Sequence, residues 1–215
     1  MTRKQRYELI LDFFRNEMPE VGTELQFVTP FQLLVATMLS AQCTDKRVNE
    51  VTPKLFERFP NPETMAMAEP DEVLLYVSSV SYPNSKARHL VEMARMLVNS
   101  FDGKVPDNHD DLLKLPGVGQ KTANVVQAVA FGQSTMAVDT HVFRVSRRLG
   151  LVARTDNTPL KVEKRLLTYI PADDIPRAHH WLLLHGRYVC TSRKPKCEKC
   201  SFVDFCPQLM DDDKI

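Results

Sequence analysis

Lys121 stands at the head of a helix-forming run in "LPGVGQKTANVV", residues 115–126, directly behind a turn that contains Pro116, Gly117 and Gly119. A helix N-terminus and neighbouring basic groups disfavour an ammonium ion, so an amine placed there tends toward its neutral, nucleophilic form. The helix contribution is only about 0.3–1 kcal/mol at exposed sites, so burial would have to supply the rest. Gly117 and Gly119 are suited to positive φ and let bare backbone approach a ligand. The N–H groups of the turn and of the helix start could then converge on an anion, with phosphate the natural guest. The plain alternative is a tight connection between two helices that binds nothing.

Eighteen residues on, Asp139 in "MAVDTHVFRVSRRLGL" immediately precedes a second amphipathic run. Aspartate is among the best N-caps, which accounts for the position without any chemistry. A carboxylate can cap a helix and also stabilise positive charge, and the two roles separate on substitution by asparagine. Arg144, Arg147, Arg148 and Arg154 follow with no acid between Thr140 and Arg154, which suggests a phosphate-facing surface.

The third constellation is "CTSRKPKCEKCSFVDFC", where Cys190, Cys197, Cys200 and Cys206 have the spacing C-x6-C-x2-C-x5-C. In a reducing compartment, four clustered thiols are metal ligands more often than two disulfides. Four thiolates suit a tetrahedral zinc site or an iron–sulfur cluster, and ligand count does not choose between them. Arg187, Arg193, Lys194, Lys196 and Lys199 face a single Glu198 in and beside this loop, so it is strongly basic. A metal that staples the loop would hold those cations against a phosphate backbone, giving salt-sensitive affinity indifferent to sequence.

Helices must position these groups. Period-two alternation is nearly absent from the 215 residues, and Pro and Gly fall between amphipathic segments, so the expected class is all-α with roughly ten helices. Tyr7, Ile10, Leu11 and Phe14 share one helical face, Thr29-Pro30 opens a helix as N-cap and first residue, and Asn61-Pro62, Asn84-Ser85 and Ile175-Pro176 precede others. The acidic string Asp211-Asp212-Asp213-Lys214 reads as a frayed tail. At 43% apolar residues the chain can bury a substantial core, and its net charge of +1 makes any nucleic-acid footprint a local one. The N-terminal residues do not read as a secretory leader, and no stretch nears the roughly 20 apolar residues of a membrane span. A cytoplasmic protein is expected.

"LPGVGQKTANVV", with Leu115 and Val118 as apolar anchors, resembles the helix-hairpin-helix element that grips DNA backbone. Together with "VDTHVFRVSRRLGL", "HHWLLLHGRYVC" and the cysteine spacing, it resembles the endonuclease III family across nearly the whole chain. That family comprises bifunctional DNA glycosylases and abasic-site lyases. The resemblance implies a two-lobed helix-hairpin-helix DNA glycosylase fold: a six-helix lobe over residues 23–133, and an iron–sulfur lobe over 1–22 and 134–215. Lys121 and Asp139 would be catalytic, facing each other across a cleft, and Cys190, Cys197, Cys200 and Cys206 would hold a [4Fe-4S] cluster. The implied partner is double-stranded DNA with damaged bases or abasic sites, bound by a monomer that works at the bacterial nucleoid and meets no membrane.

DNA contacts are expected from Gln42, Tyr82, Leu115, Gly117, Val118, Gly119, Arg144, Arg193, Lys194 and Lys196. Gln42 in "LSAQCTD" matches the family's glutamine that fills the hole left by an extruded nucleotide, with Thr44 and Asp45 opening the next helix. Tyr82 is the second wedge, although the family reads Gly, an apolar residue and Tyr where this chain has Ser81, Tyr82 and Pro83. An adenine-removing relative carries glutamate five residues before the glutamine and lacks the lysine; this chain has Thr37 and Lys121. A non-catalytic DNA-binding module is the other alternative.

Overall fold

Threonine and asparagine side chains start six of the helices, because each places an oxygen where the first turn leaves backbone N–H groups without intrahelical partners. The computed structural model describes residues 1–210, with side chains through 208, so the acidic string 211–214 lies outside the described residues. All regular structure among the described residues is helical, in line with the sequence. The chain divides into two units, Thr23–Gln133 and Met1–Gly22 with Ser134–Ile215.

The unit Thr23–Gln133 contains helices α2 (Pro30–Leu39), α3 (Asp45–Arg58), the five-residue α4 (Pro62–Ala66), α5 (Pro70–Val77), α6 (Pro83–Ser100), α7 (His109–Lys114) and α8 (Gln120–Phe131). Thr29, Thr44, Asn61 and Asn108 cap α2, α3, α4 and α7, each accepting a backbone N–H three residues on. Leu33 to Leu39 are buried without a break, so α2 is apolar all round and forms the axis on which α3, α6 and α8 pack. Leu90, Val91, Met93, Ala94 and Leu97 of α6 complete this core. The sequence expectation for α6 is off at one point: the helix starts at Pro83, not after Asn84-Ser85, with Tyr82 as a left-handed N-cap residue. Proline's fixed φ suits the first helical position, and this decided the boundary.

The other unit contains α1 (Arg3–Glu17), α9 (Thr140–Arg148), α10 (Pro159–Tyr169), α11 (Ile175–Tyr188) and the short α12 (Pro207–Met210). Thr2 and Gln5 close a capping box at α1, whose Tyr7, Ile10, Leu11 and Phe14 are buried as their spacing requires. Phe14 stacks on Trp181 of α11 at a centroid distance of 5.7 Å, and the indole N–H donates to the Met18 carbonyl at 2.8 Å. The carboxylate of Asp174, 4% exposed, accepts from Arg15 Nη2 at 2.6 Å and Arg177 Nη2 at 2.7 Å, which tethers α1 to the start of α11. Removing one partner of such a buried pair is costly, because it leaves the other charge without compensation.

His180 of α11 is buried beside His179, whose Nδ1–H donates to the Ala137 carbonyl at 2.7 Å. Burial, aided by His179, pushes the His180 imidazole down to about 3 from its ordinary 6.5. The unfolded chain therefore binds a proton that the folded chain rejects. This contribution to stability is complete above about pH 6.5 and is lost as pH falls toward 3, amounting to about 2 kcal/mol by about pH 5. Urea unfolding near pH 7.5 and near pH 5 should show that loss, and His180→Gln should remove most of the His180 share. An equal pH dependence in the variant would contradict it.

Candidate active site and metal centre

The turn between α7 and α8 carries the first group. Leu115 and Val118 are buried, so their side chains anchor the turn in the core and only their backbone could meet a ligand. Gly117 has φ +78°, and a Cβ there would come within 2.9 Å of both Met38 on α2 and His89 on α6. Its glycine is required by the fold. Gly119 differs from the expectation: its φ of −106° is open to any residue, and a Cβ would meet nothing within 4 Å. Neither strain nor crowding explains a glycine here. As the N-cap of α8 it offers no side chain, and none caps this helix. The helix start is left open to an outside acceptor, with room for it to come close to the backbone. Lys121, the second residue of α8, is exposed, so the protein does not bury the amine.

The second group lies on the elements that Gly117 abuts. Gln42 follows the end of α2 and Tyr82 precedes α6; both are exposed, and both have φ of +55°. Left-handed backbone at non-glycine residues costs roughly 1–3 kcal/mol and clusters at functional sites. Ser81 Oγ donates to the Gln42 carbonyl at 2.7 Å. Lys86, 8% exposed, donates from Nζ to the Leu39 and Ala41 carbonyls, each at 2.7 Å, which satisfies acceptors left over where α2 ends. Burial pulls Lys86 below the ordinary lysine range, with Cys43 acting in the opposite sense. Local patterns gave no sign of Ser81 or Lys86 in these roles, because all three bonds join residues about 40 or more apart in sequence.

In the other unit Asp139 is the N-cap of α9, and its Oδ1 accepts from His141 N and Val142 N at 2.8 Å each. The side chain is half-buried, and the cap fixes its orientation. Arg144 makes bonds within the protein. Its Nη2 donates to the Gly186 carbonyl at 2.8 Å and its Nε to the Cys190 carbonyl at 3.2 Å, fastening the end of α11 to α9. Arg148 acts alike: Nη1 donates to Thr191 O at 2.7 Å and lies 3.6 Å from Cys190 Sγ, and Nη2 donates to Ser192 O at 2.9 Å. Arg193, Lys194 and Lys196 remain exposed on the same loop.

All four cysteines of the C-terminal group, with Arg148, Leu149 and Pro195, line one cavity of about 230 Å³. The loop between Cys200 and Cys206 is anchored by Phe202, 1% exposed, which meets Phe13 and Phe14 edge-on at 5.0 and 5.4 Å. Burial pushes the Cys200 thiol up, and pushes His185, 3.7 Å from Cys200 Sγ, down to about 4, so a neutral ring covers that sulfur. A single tetrahedral ion needs its sulfurs about 2.3 Å from one point. Among the described residues, no group of three or more His, Cys, Asp or Glu is set to hold one metal ion. Four cysteines around a cavity of this size suit a polynuclear cluster instead.

Residues 35–172 match the model of the HhH-GPD superfamily of base excision DNA repair proteins, and residues 190–206 match the iron–sulfur binding domain of endonuclease III. Among curated relatives, endonuclease III of Rickettsia felis is 45% identical over 92% of both chains, and that of Escherichia coli K12 is 43% identical over 96% of both. The chain belongs to the endonuclease III family. Among solved structures, a trapped endonuclease III–DNA covalent intermediate, an estranged-adenine complex, matches at TM-score 0.92 and 41% identity over the whole of both chains. A thermostable thymine-DNA glycosylase matches at TM-score 0.83 and 27% identity over 97% of each. The match to the endonuclease III iron–sulfur domain spans all four cysteines of the cavity, and the cofactor is a [4Fe-4S] cluster.

Because asparagine can supply the same Oδ1 acceptor without the charge, Asp139→Asn should unfold within about 1 kcal/mol of the parent. Incision of an abasic duplex should nevertheless fall by about 10²–10⁴-fold. Incision at the parental rate would reduce Asp139 to a helix cap.

Proposed function

We propose that the chain is a base excision repair DNA glycosylase and abasic-site lyase that removes damaged pyrimidines through a Lys121 imine. The observation that carries this reading is Lys121 in a member of the endonuclease III family, exposed in the first turn of a helix that no side chain caps. The open start of α8 and the hairpin backbone hold a DNA phosphate, Gln42 and Tyr82 occupy the space left by the extruded nucleotide, and Arg193, Lys194 and Lys196 add backbone contacts. The lobes 23–133 and 1–22 with 134–215 divide this work, the first supplying the nucleophile and wedges, the second Asp139 and the cluster loop.

The neutral Lys121 amine attacks the sugar C1′, and the base leaves with the electron pair of the glycosidic bond. Asp139, ionised, stabilises the positive charge that develops on the sugar and takes up a proton from the lysine nitrogen. The C1′–O4′ bond then breaks, O4′ taking the proton that Asp139 received, and the ring-opened iminium that forms acidifies the C2′ proton, whose loss expels the 3′ phosphate by β-elimination. Since the protein leaves Lys121 exposed, the duplex closing over it supplies the water-poor surroundings the attack needs. The [4Fe-4S] cluster, when bound by its four cysteines, contributes a rigid staple for the basic loop.

Thr37 argues against the adenine-specific alternative. It is 6% exposed and its hydroxyl donates back to the Leu33 carbonyl at 2.7 Å, so this position offers no carboxylate. No described helix is long and apolar enough to cross a membrane, and the proposed place of action is the bacterial cytoplasm at the nucleoid. Borohydride added during reaction with a thymine-glycol duplex should trap a covalent protein–DNA adduct, and Lys121→Gln should reduce it at least about a hundredfold. A variant that traps as well as the parent would overturn the nucleophile. Tight binding to an abasic duplex with no incision would point to the non-catalytic module.

A further inference from the structure

The Gln42 and Tyr82 tips are joined by a bond from Ser81, whose hydroxyl reaches across to the Gln42 carbonyl at 2.7 Å. Each tip is also held at its base. Lys86 fixes the chain leading to Gln42 through the Leu39 and Ala41 carbonyls, and Pro83 fixes the first residue after Tyr82. Both tips carry left-handed non-glycine backbone, a conformation readily lost without support from neighbours. The Ser81 bond supplies such support at the tip itself, and it ends on Gln42 backbone, so it survives any change of the Gln42 side chain.

We propose that Ser81 is a positioning residue that locks the Gln42 and Tyr82 tips into one preformed wedge, so that both side chains enter the duplex together. This rests on the reading that the two side chains insert at the lesion. Preordering removes from the binding step the cost of arranging two strained loops independently, which raises affinity without adding a contact to DNA. Glycine at position 81 would leave the two tips to order separately.

The test is a double-mutant cycle on equilibrium binding to a duplex with a tetrahydrofuran abasic analogue, which the lyase cannot cleave. Ser81→Ala should weaken binding about three- to tenfold when both tips are present, the scale of one lost hydrogen bond. In a Gln42→Ala/Tyr82→Ala background the same change should cost less than about twofold, since no wedge remains to be positioned. Ser81→Thr should bind like the parent, and unfolding midpoints should be alike throughout. An equal loss in both backgrounds would mark a merely structural role, and no loss in either would also overturn the proposal. If the Gln42→Ala/Tyr82→Ala protein itself binds like the parent, the insertion reading falls and the wedge with it; weak binding by that protein, together with no loss on Ser81→Ala when both tips are present, removes the wedge lock alone.

Discussion

The backbone N–H groups that open α8 are the constraint on which the rest depends. A helix start needs acceptors, and at seven helices Thr2, Thr29, Thr44, Asn61, Asn108, Asp139 and Thr158 supply them from their own side chains, while α5, α6 and α11, which also lack a side-chain cap, open with a proline in the first turn that removes one of the donors. Gly119 supplies none, in a backbone conformation that any capping residue could adopt and in a space that would admit one. The chain thus forgoes a stabilising cap at the turn that delivers Lys121. In the proposed function, a DNA phosphate completes the helix where a side chain otherwise would, and in doing so registers the sugar against the amine.

The surrounding packing serves that opening. Gly117 brings the hairpin against α2 and α6, and the buried Leu115 and Val118 press it down, so the turn cannot shift without disturbing a continuous apolar core. Gln42 follows the end of α2 and Tyr82 opens α6, the two helices that the hairpin abuts. In the other unit, Arg144 and Arg148 commit their guanidinium groups to carbonyls around Cys190, and Phe202 plugs the cysteine loop into the Phe14–Trp181 core. Cations that look available in sequence thereby serve as tethers, while Arg193, Lys194 and Lys196 are exposed on the same loop. A net charge of +1 is compatible with a DNA partner because the positive charge is local.

Local chemistry made much of this legible. Thr29-Pro30, Asn61-Pro62 and the Asp139 cap all appear where N-terminal preferences place them, the α1 face is buried as spaced, and the cysteine spacing marks the cluster loop. What stayed hidden depends on partners distant in sequence or on backbone angles that residue type does not fix. Gly119 carries its glycine for openness and not for positive φ. Arg144 meets carbonyls more than 40 residues away, and Lys86 is drawn into the end of α2 across a similar separation. Tyr82, a bulky residue before proline, takes a left-handed backbone that its own preferences oppose.

Gly119→Asp separates stability from function most directly, since aspartate is a better N-cap than glycine and places a negative charge where the phosphate belongs. Equilibrium unfolding and binding to an uncleavable abasic duplex, measured on the same preparation, should show stability unchanged or raised by a few tenths of a kcal/mol, roughly, and affinity reduced at least about a hundredfold. Parental affinity in a folded Gly119→Asp protein would contradict the claim that the open start of α8 holds the DNA.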